Sequence, residues 1–473
     1  MHINCAPKPV KALKTYVSKF NCNFSKPLRK TFIAYITCLM LEYKRCNLQS
    51  ISQKTTLTNY ERIQYFISDS HTWSSEQLNT QRIQNLQKSR STKLCKKGAL
   101  IIDDTACKKS KTCKKTEGVD FQYSSTEDTT VNCNVVVFST YADNRKHYPL
   151  DLKPYKPASE FLFGKKDSKF KDKIALAIEL FNTTVGRGLE FSDVLFDNWY
   201  FNERLVSCIE KRGYYWITKA KSNNILCFHG SWHRVDELVK LIPSCKYRKI
   251  SYVNSHGERE FYYAYAFTGK VKHIGGPYRI TIVKSSWETI NMDNVYVIVS
   301  NHTDSSAAEM FRKYKGRWEI ECVFRELKDT LYFDQYQVRN LTAITRHWHL
   351  CFLAYTFLVQ YELTGSYKRA VQYKLQTTGE FVYLYRSLQS LISYIWISKN
   401  KEAYCNCPLL IFILKLQLLL YRATRKASLS QKFKCQSPKF KSNPNIKIPK
   451  DLVASHFLGI WILDFIWHLS FVI

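Results

Sequence analysis

Acidic residues are scarce in this chain: 39 Asp and Glu stand against 71 Lys and Arg, a formal charge of +32 over 473 residues. That excess goes far beyond what solubility needs and points to a polyanionic partner, nucleic acid before any other. A membrane surface is the competing polyanion, but the basic residues are spread along the whole chain rather than set beside an anchor. The opening MHINCAPKPVKALKTYVSKF has no continuous apolar core, so no secretory signal is expected there. Uninterrupted apolar runs of the ~20 residues a spanning helix needs are also missing. The two nearest cases, 408–421 and 457–473, are broken by Lys415 and Asp464 and read as buried helices. Of 16 cysteines none forms a CxxC pair; Cys405 and Cys407 make one CxC, and Cys107 and Cys113 do not match a zinc framework. Scattered thiols of this kind suit a reducing cytoplasm. Neither an internal repeat nor a clear helix-turn-helix signature is evident.

What is there supports folded domains. Hydrophobic residues make up 45% of the chain, and its length suits two or three domains of ~100–200 residues. Residues 1–95 read as helical and basic. Ile63, Phe66 and Ile67 mark one apolar face and Leu78, Ile83 and Leu86 the next, with Ser74 and Ser75 as a capping signal between them. This region is either a DNA-contacting domain or a helical scaffold. From 96 to 221 the pattern changes to strand–strand–strand–helix–strand–helix–strand, which predicts a mixed sheet flanked by helices in an α/β fold. Residues 222–300 are β-rich and read as an insertion into that fold; 301–365 return to it. Residues 366–473 read as helical again, with a possible role in dimerisation.

Three carboxylate positions stand out. GALIIDDT is an apolar strand ending in Asp103 and Asp104, and VLFD ends in Asp197. Asp193, ahead of the same strand's apolar residues, belongs at its opposite end. The third acid, Glu321, lies in YKGRWEIECVFRELK. At ~100° per residue, and with Tyr314 at zero, Arg317, Glu321 and Lys328 fall near 300°, 340° and 320° of one continuous helix. Ile320, Phe324, Leu327 and Leu331 fall in the neighbouring arc as the buried seam. Acids at the tips of adjacent strands, opposite an acid on a packed helix, are what a Mg²⁺ site for phosphodiester chemistry requires. Oxygen ligands suit a hard cation, and two ions ~3.5–4 Å apart can serve both the attacking and the leaving oxygen.

These residues resemble the DDE transposases of bacterial insertion sequences, in the group with the Y-x2-R-x3-E-x6-K signature. Tyr314, Arg317, Glu321 and Lys328 complete that signature. LFDNWYFNERL with GYYWITKAK is similar to the second aspartate motif, and IIDDT to the first. The likeness covers roughly residues 55–365. It implies an RNase H-like mixed sheet flanked by helices, carrying a catalytic and metal-binding triad of Asp103, Asp197 and Glu321. Asp103 keeps the Asp-x-Thr spacing to Thr105, with Asp104 as the alternative. The resemblance also implies that Arg317 and Lys328 contact transposon-end phosphates and that Tyr314 holds the same strand. Lys219 and Lys221 are further candidates for phosphate contacts, and Trp287 for stacking on an extruded base.

The expected protein is therefore a cytoplasmic, nucleoid-associated bacterial transposase working with two Mg²⁺ ions, or Mn²⁺, on double-stranded DNA. It would bind its element's terminal inverted repeats as a homodimer, cut them and join them to a target, with no membrane role. The alternatives are an RNase H-like nuclease without strand transfer, and a decayed copy or inhibitor that only binds DNA.

Overall fold

A computed structural model describes residues 11–363, apart from 42–46, 56, 125–127, 255–256 and 288–291, and beyond them residues 382, 383 and 386. The expected helices at 408–421 and 457–473, and the expected dimerisation region around them, lie outside the described residues.

Lys8–Thr364 form one compact unit. It opens with helices α1 (Lys11–Val17), α2 (Lys26–Leu41), α3 (Leu48–Gln53), α4 (Tyr60–Gln64) and α5 (Ser75–Gln87). Caps set the starts: Asn59 accepts from the Arg62 amide at the head of α4, and Ser74 accepts from the Glu76 and Gln77 amides at the head of α5. The apolar faces carrying Ile63, Phe66, Ile67, Leu78, Ile83 and Leu86 are buried, as the sequence periodicity predicts.

The sheet follows: β1 (Ala99–Lys108), β2 (Val119–Ser124), β3 (Thr129–Ala142) and β4 (His147–Tyr155), then helix α6 (Lys173–Gly186), strand β5 (Asp193–Phe196), helix α7 (Glu203–Lys211) and strand β6 (Tyr215–Lys219). β4, β3 and β1 pair antiparallel, while β1, β5 and β6 run parallel, joined by the α6 and α7 crossovers. This is an RNase H-like mixed sheet with helices against it. β5 and the interior of β3 are buried throughout, as expected for strands covered on both faces.

Residues 222–300 continue this sheet rather than starting another. They contribute β7 (Ile225–Phe228), β8 (Ser231–Arg234), helix α8 (Val235–Leu241), β9 (Arg248–Val253), β10 (Arg259–Val271), β11 (Gly275–Lys284) and β12 (Val295–Ser300). β12 pairs with β6 and with β11, so the whole forms one 12-stranded sheet.

The chain then forms α9 (Ala307–Lys315), α10 (Trp318–Leu331) and α11 (Leu341–Leu363). The single helix expected over 314–328 is thus two helices. Arg317 N–H bonds to Tyr314 O, Glu319 N–H to Gly316 O and Ile320 N–H to Arg317 O, so the turn tightens to i→i−3 spacing at the junction. A Cβ on Gly316 would lie 3.1 Å from the Lys313 carbonyl, which favours glycine in so tight a turn.

α11 is buried along most of its length, between the N-terminal helices and the rest of the unit. Phe138 of β3 meets Phe324 of α10, Phe333 and Phe352 of α11 at 5.0–5.3 Å between ring centroids. Buried Arg82 of α5 donates to the Pro149 and Leu150 carbonyls of β4 and to Thr356 of α11. Arg346 donates to the Ile67, Ser70 and Trp73 carbonyls. Arg82 thus ties the first 95 residues to β4 and α11, and Arg346 ties them to α11. Among the described residues no helix is long and apolar enough to cross a membrane.

Candidate active site

Register places the two aspartates side by side. β1 pairs with β5 from Ala99 opposite Asp193 to Ile102 opposite Phe196. Asp103 and Asp197 each stand one residue beyond that last pair, at the carboxyl end of the parallel pairing. Asp197 follows β5, whereas Asp103 lies within β1, which continues to Lys108 against β3 and so does not end at the acids as its apolar run suggests. Ligand sites of open α/β sheets sit beyond this end. Asp193 is at the other end, buried with His302 Nε2 at 2.5 Å and Lys313 Nζ at 3.2 Å.

Adjacent side chains on a strand point to opposite faces, and this separates Asp103 from Asp104. Asp104 accepts from the Tyr200 hydroxyl and from Lys173 Nζ, both at 2.8 Å. Asp103 instead faces the helix junction, where Arg317 Nη1 donates to its Oδ2 at 3.0 Å. Arg317 Nη2 donates to Glu321 Oε1 at 2.5 Å, one turn along α10. One guanidinium therefore joins a β1 carboxylate to a helix carboxylate, and its side chain is only 15% exposed.

The electrostatics of the cluster follow from burial. Desolvation raises the Asp103 pKa well above the carboxylate range; Arg317 opposes this, and Asp104 and Asp197 add repulsion. Desolvation also raises Glu321, again opposed by Arg317 and reinforced by Asp197. For Arg317, burial favours the neutral form, but Asp103, Tyr314, Glu321 and Asp197 outweigh it and hold its pKa above the usual value. Tyr314 is buried at the end of α9, with a pKa pushed up to about 12 by desolvation and lowered in part by Arg317. Three carboxylates, one guanidinium and one phenol thus feel one another, although no two of the carboxylates share a strand.

Among the described residues no three His, Cys, Asp or Glu side chains close around a point where an ion would sit. The guanidinium stands between Asp103 and Glu321 instead. The donor set still fits a hard divalent cation: it is all carboxylate oxygen, and burial raises the pKa of two of its acids, Asp103 and Glu321, against the pull of Arg317.

The other expected contacts are distributed around this cluster. Lys328 Nζ donates to the Ala106 carbonyl at 2.8 Å, tying α10 to β1. Lys219, at the end of β6, lies over the Tyr296 ring at 5.2 Å, and Tyr296 meets Tyr314 edge-on. Lys221 is exposed. Trp287 is 42% exposed and edge-on to Tyr263 at 5.0 Å. Neither Lys221 nor Trp287 takes part in the described hydrogen bonds and ion pairs of the carboxylate cluster.

Several supporting contacts have no signature in the sequence. Lys173 and Tyr200 hold Asp104; Tyr200 follows Asp197 in the same motif, yet its partner is 96 positions away. His147, at the start of β4, sits between Glu319 at 2.7 Å and Glu326 at 3.4 Å. Long-range pairs of this kind carry no local periodicity by which to find them.

Two family models match the chain. The DDE superfamily endonuclease model matches residues 19–233 and the transposase DDE domain model residues 175–357. No curated protein matches it.

Proposed function

This chain belongs to the DDE transposases, and on that premise we propose that it cuts the terminal inverted repeats of an insertion sequence and joins the freed ends to target DNA. The observation that carries this reading is the convergence of Asp103 and Glu321 on one guanidinium, with Asp197 close enough to raise the pKa of both. Acids this costly to bury together need a cationic ligand to explain them.

In this reading Asp103, Asp197 and Glu321 are the catalytic and metal-binding residues, and Asp104 is a support that ties β1 to Lys173 and Tyr200. Asp103, Asp197 and Glu321 would hold two Mg²⁺ ions, or Mn²⁺, which would supply Lewis acidity at the scissile phosphate. Arg317 grips a phosphate of the cut strand in bidentate fashion, and Lys328 adds a point charge farther along the helix. Tyr314 is buried, so it serves the strand by orienting Arg317 rather than by lying on the DNA. Lys219 and Lys221 extend the phosphate track from β6, and Trp287 offers an exposed ring for base stacking. The +32 charge draws the double-stranded substrate, and two copies of the chain pair the two ends.

The test incubates the full-length protein with end-labelled element termini and Mg²⁺. Cleavage with joining to a target supports this reading. Cleavage alone makes the protein a nuclease, and binding alone makes it a decayed copy or inhibitor.

A further inference from the structure

Arg317 fills the space its carboxylates leave. Its guanidinium carries five N–H donors in a fixed fork, and two of its nitrogens are engaged by Asp103 and Glu321. Held in this way it cannot also present that same edge to a phosphate. Arg317 is the cap residue before α10, beside Gly316, and its side chain makes no cap bond to the helix backbone, so rotating it breaks none of the backbone hydrogen bonds of α10.

We propose that Arg317 is an exchangeable internal counter-cation, which holds Asp103 and Glu321 while no divalent ion is bound and passes to a DNA phosphate when one is. The inference rests on the reading that these carboxylates take a divalent ion. Its physical basis is charge balance. Three neighbouring half-buried acids are poorly compensated by one guanidinium, whereas divalent cations compensate them better. Once such an ion is held there, Arg317 becomes a like-charged neighbour and is driven off. A phosphate nearby gives the guanidinium an equivalent bidentate partner. Ion and DNA must then favour each other's binding, because each removes an obstacle to the other.

Titration of the full-length protein with Mn²⁺ in the absence of DNA, read as free Mn²⁺ by electron paramagnetic resonance, tests this. Arg317→Gln is expected to bind Mn²⁺ about tenfold more tightly than the wild type, equivalent to about 1.4 kcal/mol. A short duplex should tighten Mn²⁺ binding in the wild type and leave Arg317→Gln nearly unchanged. Melting curves keep the test open if the variant is unstable: its melting point in chelator should fall, and Mn²⁺ should restore it. Equal or weaker Mn²⁺ binding by Arg317→Gln, with a melting deficit that Mn²⁺ does not restore, would make Arg317 a permanent clamp and overturn the proposal. Asp103→Asn separates the two failures. If it binds Mn²⁺ as the wild type does, the carboxylate site itself is wrong, and the proposal goes with it.

Discussion

His147 and Glu319 meet at 2.7 Å, joining the start of β4 to the first turn of α10. On its other side the imidazole faces Glu326, two turns along the same helix, whose Oε2 also accepts from the Tyr355 hydroxyl of α11. One ring thus fixes the axial position of the helix that carries Glu321. Burial opposes its charge, but the hydrogen bonds to Glu319 and Glu326 outweigh this and push its pKa up to about 10. For Glu326, burial favours the protonated form, and His147 with Tyr355 outweighs it, so its pKa is lowered.

The sign of the pH dependence follows. A histidine raised above its unfolded value of ~6.5 contributes its full stabilisation below that pH and loses it as pH climbs toward the folded pKa. Glu326 contributes above the unfolded carboxylate range and loses its share as pH falls through its own lowered value. His147→Gln should therefore cost about 1–3 kcal/mol near pH 6, less than a fully buried pair because Glu319 is partly exposed. Urea unfolding at pH 6 and pH 9.5 should show the gap between variant and wild type shrinking at the higher pH. A gap that stays constant would count against the charged imidazole.

Asp103→Asn and Asp104→Asn should behave differently despite being neighbours. The first removes the carboxylate that shares a guanidinium with Glu321, and end cleavage should fall by about a thousandfold, about 4 kcal/mol of barrier. The second disturbs the bonds to Lys173 and Tyr200, so it should lower the melting point while leaving measurable cleavage. The reverse pattern would exchange their roles.

Glu321→Ala should abolish cutting to a similar degree while retaining most DNA binding. Gel-shift and cleavage assays on the same labelled termini separate the two effects. A Glu321→Ala protein that still cuts would remove Glu321 from the catalytic set.

DNA affinity should fall steeply with salt, by about 10³-fold or more between 50 and 200 mM if some six to ten phosphates are contacted. Fluorescence anisotropy over that range measures the slope. A flat response would mean that the +32 charge is not spent on phosphates.

Much of this molecule is written locally. The apolar run Leu100–Ile101–Ile102 is a strand, as its pattern predicts, but that strand runs on past Asp103 and Asp104 to Lys108 because β3 pairs along its whole length. Buried Ile320, Leu327 and Leu331 follow the helical seam. The junction at Gly316 is less legible, because a tightened turn differs from an α-turn by ~20° per residue and leaves no mark in the apolar spacing. For that reason Tyr314 reads as a neighbour of Glu321 on one helix face, whereas it ends a separate helix and is buried. The strands of 222–300 read as an insertion; which sheet they join depends on β6 and β12 pairing, and pairing between distant segments has no local signal.

By itself the sequence determined the chemistry available: the basic excess, the apolar runs followed by acids, and the spacing of Arg317, Glu321 and Lys328. Those follow from side-chain type and from fixed helix and strand periods. Only the tertiary structure decided which acid meets which cation. Strand pleat sends Asp103 toward Arg317 and Asp104 toward Lys173, and the parallel pairing of β1 with β5 brings Asp197 alongside. The physical reason is that these are contacts between distant elements, fixed when the sheet and helices pack rather than when each element forms.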